Sequence, residues 1–267
     1  MLTATCALAV LASVAPPDRT ADIVRFKEKV MRADYAGDLT ALDDLYRQGS
    51  VYLDDQANAS RTRYWIGYAK WRRAINGFNE TPTPKWLQAD IESAFKEFQA
   101  SLEIDSTYVE SKIAAVSCVG LTYFFSGGKA TTKEGQDDLA KKAEYARKLV
   151  PDIRKDDPDN PRWAWIWAQQ LSVSPSDKGG GRDAAINLCL KSLEQMEKRR
   201  APKSPLEPTW GKPELMMNVA YYYANMPPLD LPKAKDYAVQ ALKIVPYWHY
   251  MKDILLVQIE TKIKKGT

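Results

Sequence analysis

The chain has one histidine, and its neighbours limit the chemistry it can do. His249 falls in Pro246-Tyr247-Trp248-His249-Tyr250, just past the end of an expected helix. A histidine acts as a general base only with a nucleophile in reach and an acid to orient it. No His-Glu-x-x-His or Gly-x-Ser-x-Gly pattern occurs to supply them, so His249 reads as a packed interface residue. Cys118 and Cys189 lie among apolar residues at helical spacing and read as buried thiols. Two cysteines with one histidine do not complete a zinc set. Gly127-Gly128-Lys129 resembles the end of a phosphate-binding loop, but Tyr123 stands where that motif needs glycine and Ala130 where it needs Ser or Thr. Gly179-Gly180-Gly181-Arg182 follows Ser174-Pro175-Ser176-Asp177 and reads as a flexible connector. The pairs Asp54-Asp55, Asp137-Asp138 and Asp156-Asp157 sit at loops and helix starts, where carboxylates cap and favour the helix dipole. These exclusions predict a non-enzymatic protein without cofactor or metal.

The densest polar and aromatic run is residues 61–73. There Arg61, Arg63, Lys70, Arg72 and Arg73 interleave with Tyr64, Trp65, Tyr68 and Trp71. Such a run could stack on nucleic acid. Yet Tyr64, Tyr68, Trp71 and Ile75 recur at i, i+4, i+7 and i+11, which is a core stripe with basic side chains snorkelling along its edges. In Trp163-Ala164-Trp165-Ile166-Trp167, Trp163 and Trp167 share the core stripe with Ile166, and Trp165 points away from it. The formal charge of +4 comes from 38 basic and 34 acidic residues, too even a balance to indicate a nucleic-acid partner.

At 267 residues and 45% hydrophobic content the chain can bury a substantial core. Residues 6–15 form a short apolar run ending in Ser13-Val14-Ala15, a small-x-small site like those cut by signal peptidases. No Lys or Arg precedes it, and Thr3-Ala4-Thr5 before Cys6 is a poor lipoprotein match. The expectation is a signal peptide over residues 1–15 and one domain over 16–267, exported to the periplasm or cell envelope. If residues 1–15 are not a leader, the protein is cytoplasmic. No other stretch is long and apolar enough to span a membrane.

From Ala21 onward the apolar residues follow a helical period, broken by Gly, Pro, Asn and Asp clusters, with no sustained two-residue alternation. Ala234, Ala238 and Ala241 fall on one stripe, and Pro246 closes the segment. Met216, Val219, Ala220 and Tyr223 form the stripe of a partner helix, with Met226-Pro227-Pro228 between them. Ala94, Phe98, Ser101 and Ser106 keep the same spacing. Ala146, Val150, Ile153 and Pro158 keep it too, with Pro151 expected to interrupt that helix; Ala185, Cys189 and Ser192 keep it with Glu197 in place of proline. Tyr35-Ala36-Gly37-Asp38-Leu39 supplies a Gly-Asp turn, and Ile66-Gly67 a Leu-Gly-like pair. This pattern resembles the tetratricopeptide (TPR) repeat. It implies an all-α fold of about five antiparallel hairpins over residues 21–260, as a right-handed solenoid or a compact bundle with long loops. First helices are expected near 21–36, 62–78, 109–125, 161–173 and 213–225, with insertions at 79–86, 126–136, 174–182 and 200–213. Residues 33–42 also resemble the opening of the nuclear-transport-factor-2-like barrel, but that fold needs strands where residues 64–101 read as helix.

TPR proteins usually hold ligands on the concave face of their first helices. The resemblance places Arg61, Tyr68 and Arg72 there in the second hairpin, Arg162, Trp165 and Gln169 in the fourth, and Met217 and Tyr221 in the fifth, with Tyr64 and Glu214 beside them. It implies a scaffold for a protein or peptide, and the arginines favour an acidic or carboxylate-bearing one. The alternative is an envelope receptor for a glycan or cell-wall fragment, stacking sugars on exposed Trp and Tyr.

Overall fold

A computed structural model describes residues 18–127 and 132–266, and no strand occurs among them. The expected leader, with Cys6, lies outside the described residues, as do Gly128 and Lys129. Five helix hairpins follow one another. They are α1 (Thr20–Ala36) with α2 (Leu39–Gln48), α3 (Ala59–Gly77) with α4 (Leu87–Ile104), and α5 (Val109–Phe125) with α6 (Lys133–Asp156). Then come α7 (Pro161–Val173) with α8 (Arg182–Lys198), and α9 (Lys212–Asn225) with α10 (Leu231–Ile244). A π-helical turn, Tyr250–Leu255, leads into α11 (Leu256–Lys265), which packs back on α10. No helix among the described residues is long and apolar enough to cross a membrane.

Local chemistry sets the element ends. Gly37 takes a left-handed φ of 67° and terminates α1, while Asp38 caps α2 by accepting from the Ala41 amide at 2.9 Å. Asn160 caps α7 by accepting from the Arg162 amide at 2.9 Å, and Asp230 caps α10 by accepting from the Lys233 amide at 3.1 Å. Pro151 does not end α6, contrary to the sequence expectation; the helix runs through it to Asp156. Ile153, two residues on, is fully buried against Ile113 and Trp163, and that burial offsets the helix bond proline cannot make.

Small residues let the hairpins close. A Cβ placed on Gly67 of α3 would stand 2.9 Å from the Phe98 ring and 3.2 Å from the Ala94 carbonyl of α4. Ser60, Ser101 and Ser111 continue that seam as a buried hydroxyl ladder across α3, α4 and α5. Between α9 and α10, Ala220 and Ala224 meet the stripe of Ala234, Ala238 and Ala241, all fully buried. The first helices line up as a row, with α1 on α3, α3 on α5, α5 on α7 and α7 on α9. The ends of the row also meet: Tyr35 of α1 packs edge-on to Trp248 at 5.3 Å and donates to Glu214 of α9 at 2.6 Å. The hairpins therefore form a compact bundle. His249 belongs to that closure, seated on the Gly37 turn and paired with Asp253 at 2.9 Å.

Candidate functional site: a cleft beside an internal strap

The stretch between α8 and α9, residues 199–211, has no regular helix and crosses the row of first helices. Its backbone carbonyls are gripped by their side chains. Lys27 of α1 donates to the carbonyls of Pro205 at 2.9 Å and Glu207 at 2.6 Å. The Trp65 indole of α3 donates to Leu206 at 2.7 Å, and Arg162 of α7 donates to Trp210 at 2.9 Å. Leu206 and Trp210 are buried, and the Trp210 ring lies 5.5–5.8 Å from the rings of Tyr68, Trp71 and Trp165. This strap fills the face that the TPR resemblance assigned to a ligand.

Four of the eight predicted contact residues accordingly lie in the interior. Tyr68 and Arg72 belong to a buried network in which Asp34 accepts from the Tyr68 hydroxyl at 2.8 Å, Arg72 Nε at 2.8 Å and Asn76 Nδ2 at 2.9 Å. Burial alone would favour deprotonation of Arg72, but the Asp34 charge overrides it and raises its pKa. Its guanidinium sits 5.4–5.9 Å from the ring centres of Tyr68, Trp165 and Trp210. Arg162 donates through Nε to Glu110 at 2.6 Å, and Asn160 satisfies the other Glu110 oxygen at 2.8 Å. Trp165 does not point to solvent as its helical phase suggested. The strap covers it on one side, and Asn218 of α9 holds its carbonyl at 2.9 Å on the other. Gln169 and Tyr221 are exposed, Met217 is half-buried, and Arg61 is half-buried. Of the eight, Arg61 and Arg162 share one opening.

That opening is a cleft of about 520 Å³ along the edge of the strap, at the starts of α5 and α7. Arg61, Tyr108, Glu110, Arg162, Arg199 and Arg200 line it. Its carboxylates are engaged: Glu110 by Arg162 and Asn160, Glu207 by Arg61 at 3.2 Å, and Asp157 by Arg199 at 2.8 Å. Burial and the Arg199 partner act oppositely on Asp157, and the net pKa is lowered, so it stays ionised at neutral pH. One charged donor at the cleft is left over, and one buried hydroxyl lies behind it. Arg200 is exposed and has no ion-pair partner among the described residues. The hydroxyl of Tyr108, a residue only 4% exposed, has no hydrogen-bond partner. Burial, followed by the nearby Glu207 charge, raises the Tyr108 pKa well above the ordinary phenol value, so the group remains an O–H donor. The arrangement offers an acceptor-rich ligand one exposed cation, beside an Arg61 guanidinium stacked 4.1 Å over the Tyr108 ring, whose own hydroxyl is closed to solvent.

A second, shallower cleft of about 400 Å³ lies between α8 and the α9–α10 turn. There Arg182 and Lys233 lie 5.0 and 5.3 Å from the Tyr223 ring centre, each also paired with an aspartate, Asp183 and Asp230. Sequence reasoning missed Tyr108, Arg199 and Arg200, and it treated 200–213 as a simple insertion. The signal was there: Leu206 and Trp210 are large apolar residues in a proline-bearing loop, and such side chains must be covered somewhere. Among the described residues no cluster of His, Cys, Asp and Glu has the grouping of a metal site. No protein-family model matches the sequence, and no curated protein is found similar to it.

Proposed function

We propose that the chain is a non-enzymatic, TPR-like scaffold that binds a carboxylate-bearing peptide or partner protein at the cleft beside the strap. The observation that carries this reading is Arg200, exposed and without an ion-pair partner among the described residues, at an opening whose carboxylates are already engaged. Such a guanidinium offers a carboxylate a forked, charge-assisted bond. The repeat resemblance rests on the sequence spacing of Ala234, Ala238, Ala241 and Pro246, in a chain of successive helix hairpins. Export to the envelope is proposed from the apolar run at residues 6–15. The glycan alternative loses ground because six of the eight tryptophans are buried and so cannot stack on a sugar.

An array of acidic peptides, with free and amidated C-termini, tests the proposal. Wild-type protein should retain a subset that Arg200→Ala protein does not. Equal retention by both proteins, or retention by neither, would remove the cleft from consideration as the binding site.

A further inference from the structure

The strap is held the way a bound peptide is held. We propose that the row of first helices is a peptide-binding surface whose occupant is this chain's own segment 204–210, bound in cis. Three features support this. The recognition runs through side chains of α1, α3 and α7 onto strap backbone carbonyls, which a peptide of another sequence also carries. Two side chains of the strap, Leu206 and Trp210, four residues apart, are buried, Trp210 among the rings of Tyr68, Trp71 and Trp165, and they supply the sequence selectivity. The flanks are built to let the segment lie down as a separate piece. Residues 199–203 on one side are exposed, and Gly211 on the other takes φ 131°, a backbone that other residues rarely adopt.

The strap also carries little internal structure to hold its own shape. It has one turn, in which the Glu207 amide donates to the Ser204 carbonyl at 3.2 Å, and the Leu206 amide donates to Ser204 Oγ at 3.2 Å. Its conformation is thus set by the helices it lies on. The surface accepts an irregular, proline-tolerant peptide with an aliphatic residue followed four positions later by an indole, and it is closed to other chains while the strap is in place. This is independent of the acidic-ligand reading: that ligand contacts the cleft at the strap's edge, whereas here the strap is itself the ligand.

The test uses the full chain with residues 204–210 replaced by an equal-length Gly-Ser segment, titrated with a synthetic peptide covering residues 202–211. The expected result is saturable one-site binding and a rise in melting temperature toward that of the wild type. A peptide carrying Leu206→Ala and Trp210→Ala should bind more than about 100-fold more weakly. If the replaced chain is helical and does not bind the peptide, the inference is overturned. If the replaced chain does not fold alone, it is refolded with the peptide. Helicity restored by the native peptide, and not by a scrambled one, supports the inference; no restoration, or restoration by both, overturns it. Failure of this test leaves the acidic-peptide array unaffected, so the two proposals fall separately.

Discussion

The guanidinium of Arg61 lies 4.1 Å over the ring of Tyr108, whose hydroxyl has no partner. The stack fixes the ring, and the hydroxyl itself is closed to solvent. Tyr108→Phe should therefore leave both folding and ligand binding in place. Removing an unpaired buried hydroxyl is close to neutral for stability, so the melting temperature should hold or rise slightly. Because a ligand in the cleft does not reach the hydroxyl, the affinity for an acidic peptide should stay the same. Thermal unfolding and peptide titration on the same preparation read both effects.

Gly67→Ala should destabilise the protein even though alanine is the better helix former by about 1 kcal/mol. The new methyl would meet the Phe98 ring at 2.9 Å and the Ala94 carbonyl at 3.2 Å, so α3 and α4 must part. Overpacking of this kind costs about 1–3 kcal/mol, and the melting temperature should fall by roughly 2–4 °C per kcal/mol at this chain length.

Asp34 is the acceptor for Tyr68, Arg72 and Asn76 together. Asp34→Ala would leave a buried guanidinium without its counter-charge, and breaking such a pair costs about 3–5 kcal/mol. The unfolding free energy from urea titration should fall by that amount. Asp34→Asn, which keeps an acceptor oxygen for one of the three donors, should lose less than Asp34→Ala.

Glu214 gives stability a pH dependence opposite to that of an ordinary paired carboxylate. Burial raises its pKa above the usual value near 4.5, with Arg72 and the Tyr35 hydroxyl acting against that rise. The folded state therefore binds the proton more tightly than the unfolded state. The Glu214 contribution is fully present below about pH 4.5 and is lost as pH rises through the raised folded-state value. Glu214→Gln removes that titration. The stability of wild type relative to Glu214→Gln should fall as pH rises from 5 to 8. A relative stability that is constant or rises over this range contradicts the assignment.

Cys118 and Cys189 are both buried, and burial pushes the Cys189 thiol up to about 12 and the Cys118 thiol well above its usual value. Neither should react with a thiol reagent at pH 8 until the protein unfolds. The thiols of Cys118 and Cys189 should then become reactive together in urea.

The helices were largely legible because their apolar periods and caps are local. The expected ranges 109–125 and 161–173 coincide with α5 and α7, and the Gly37-Asp38 turn and the alanine stripe of α10 are where their residue types require them. Pro151 misled because the burial that carries α6 past it comes from Ile113 and Trp163, remote in sequence. The site was less legible for the same reason. Helical phase alone directs Trp165 outward, and what covers it is Trp210, 45 positions later and in no helix. Tyr68, Arg72 and Arg162 likewise carry the residue types of a binding face and spend them on Asp34, Glu110 and the strap. Arg199 and Arg200 could not be placed from periodicity, because they follow the end of α8.

The most direct test of the cleft is a calorimetric titration of an Asp- and Glu-rich nonapeptide with a free C-terminus, at two salt concentrations, into wild-type and Arg200→Ala protein. The account predicts saturable binding to wild type that weakens with salt, and about a tenfold or greater loss in Arg200→Ala, as expected for a charge-assisted contact. Binding of equal strength to both proteins, or no binding to wild type, would contradict it.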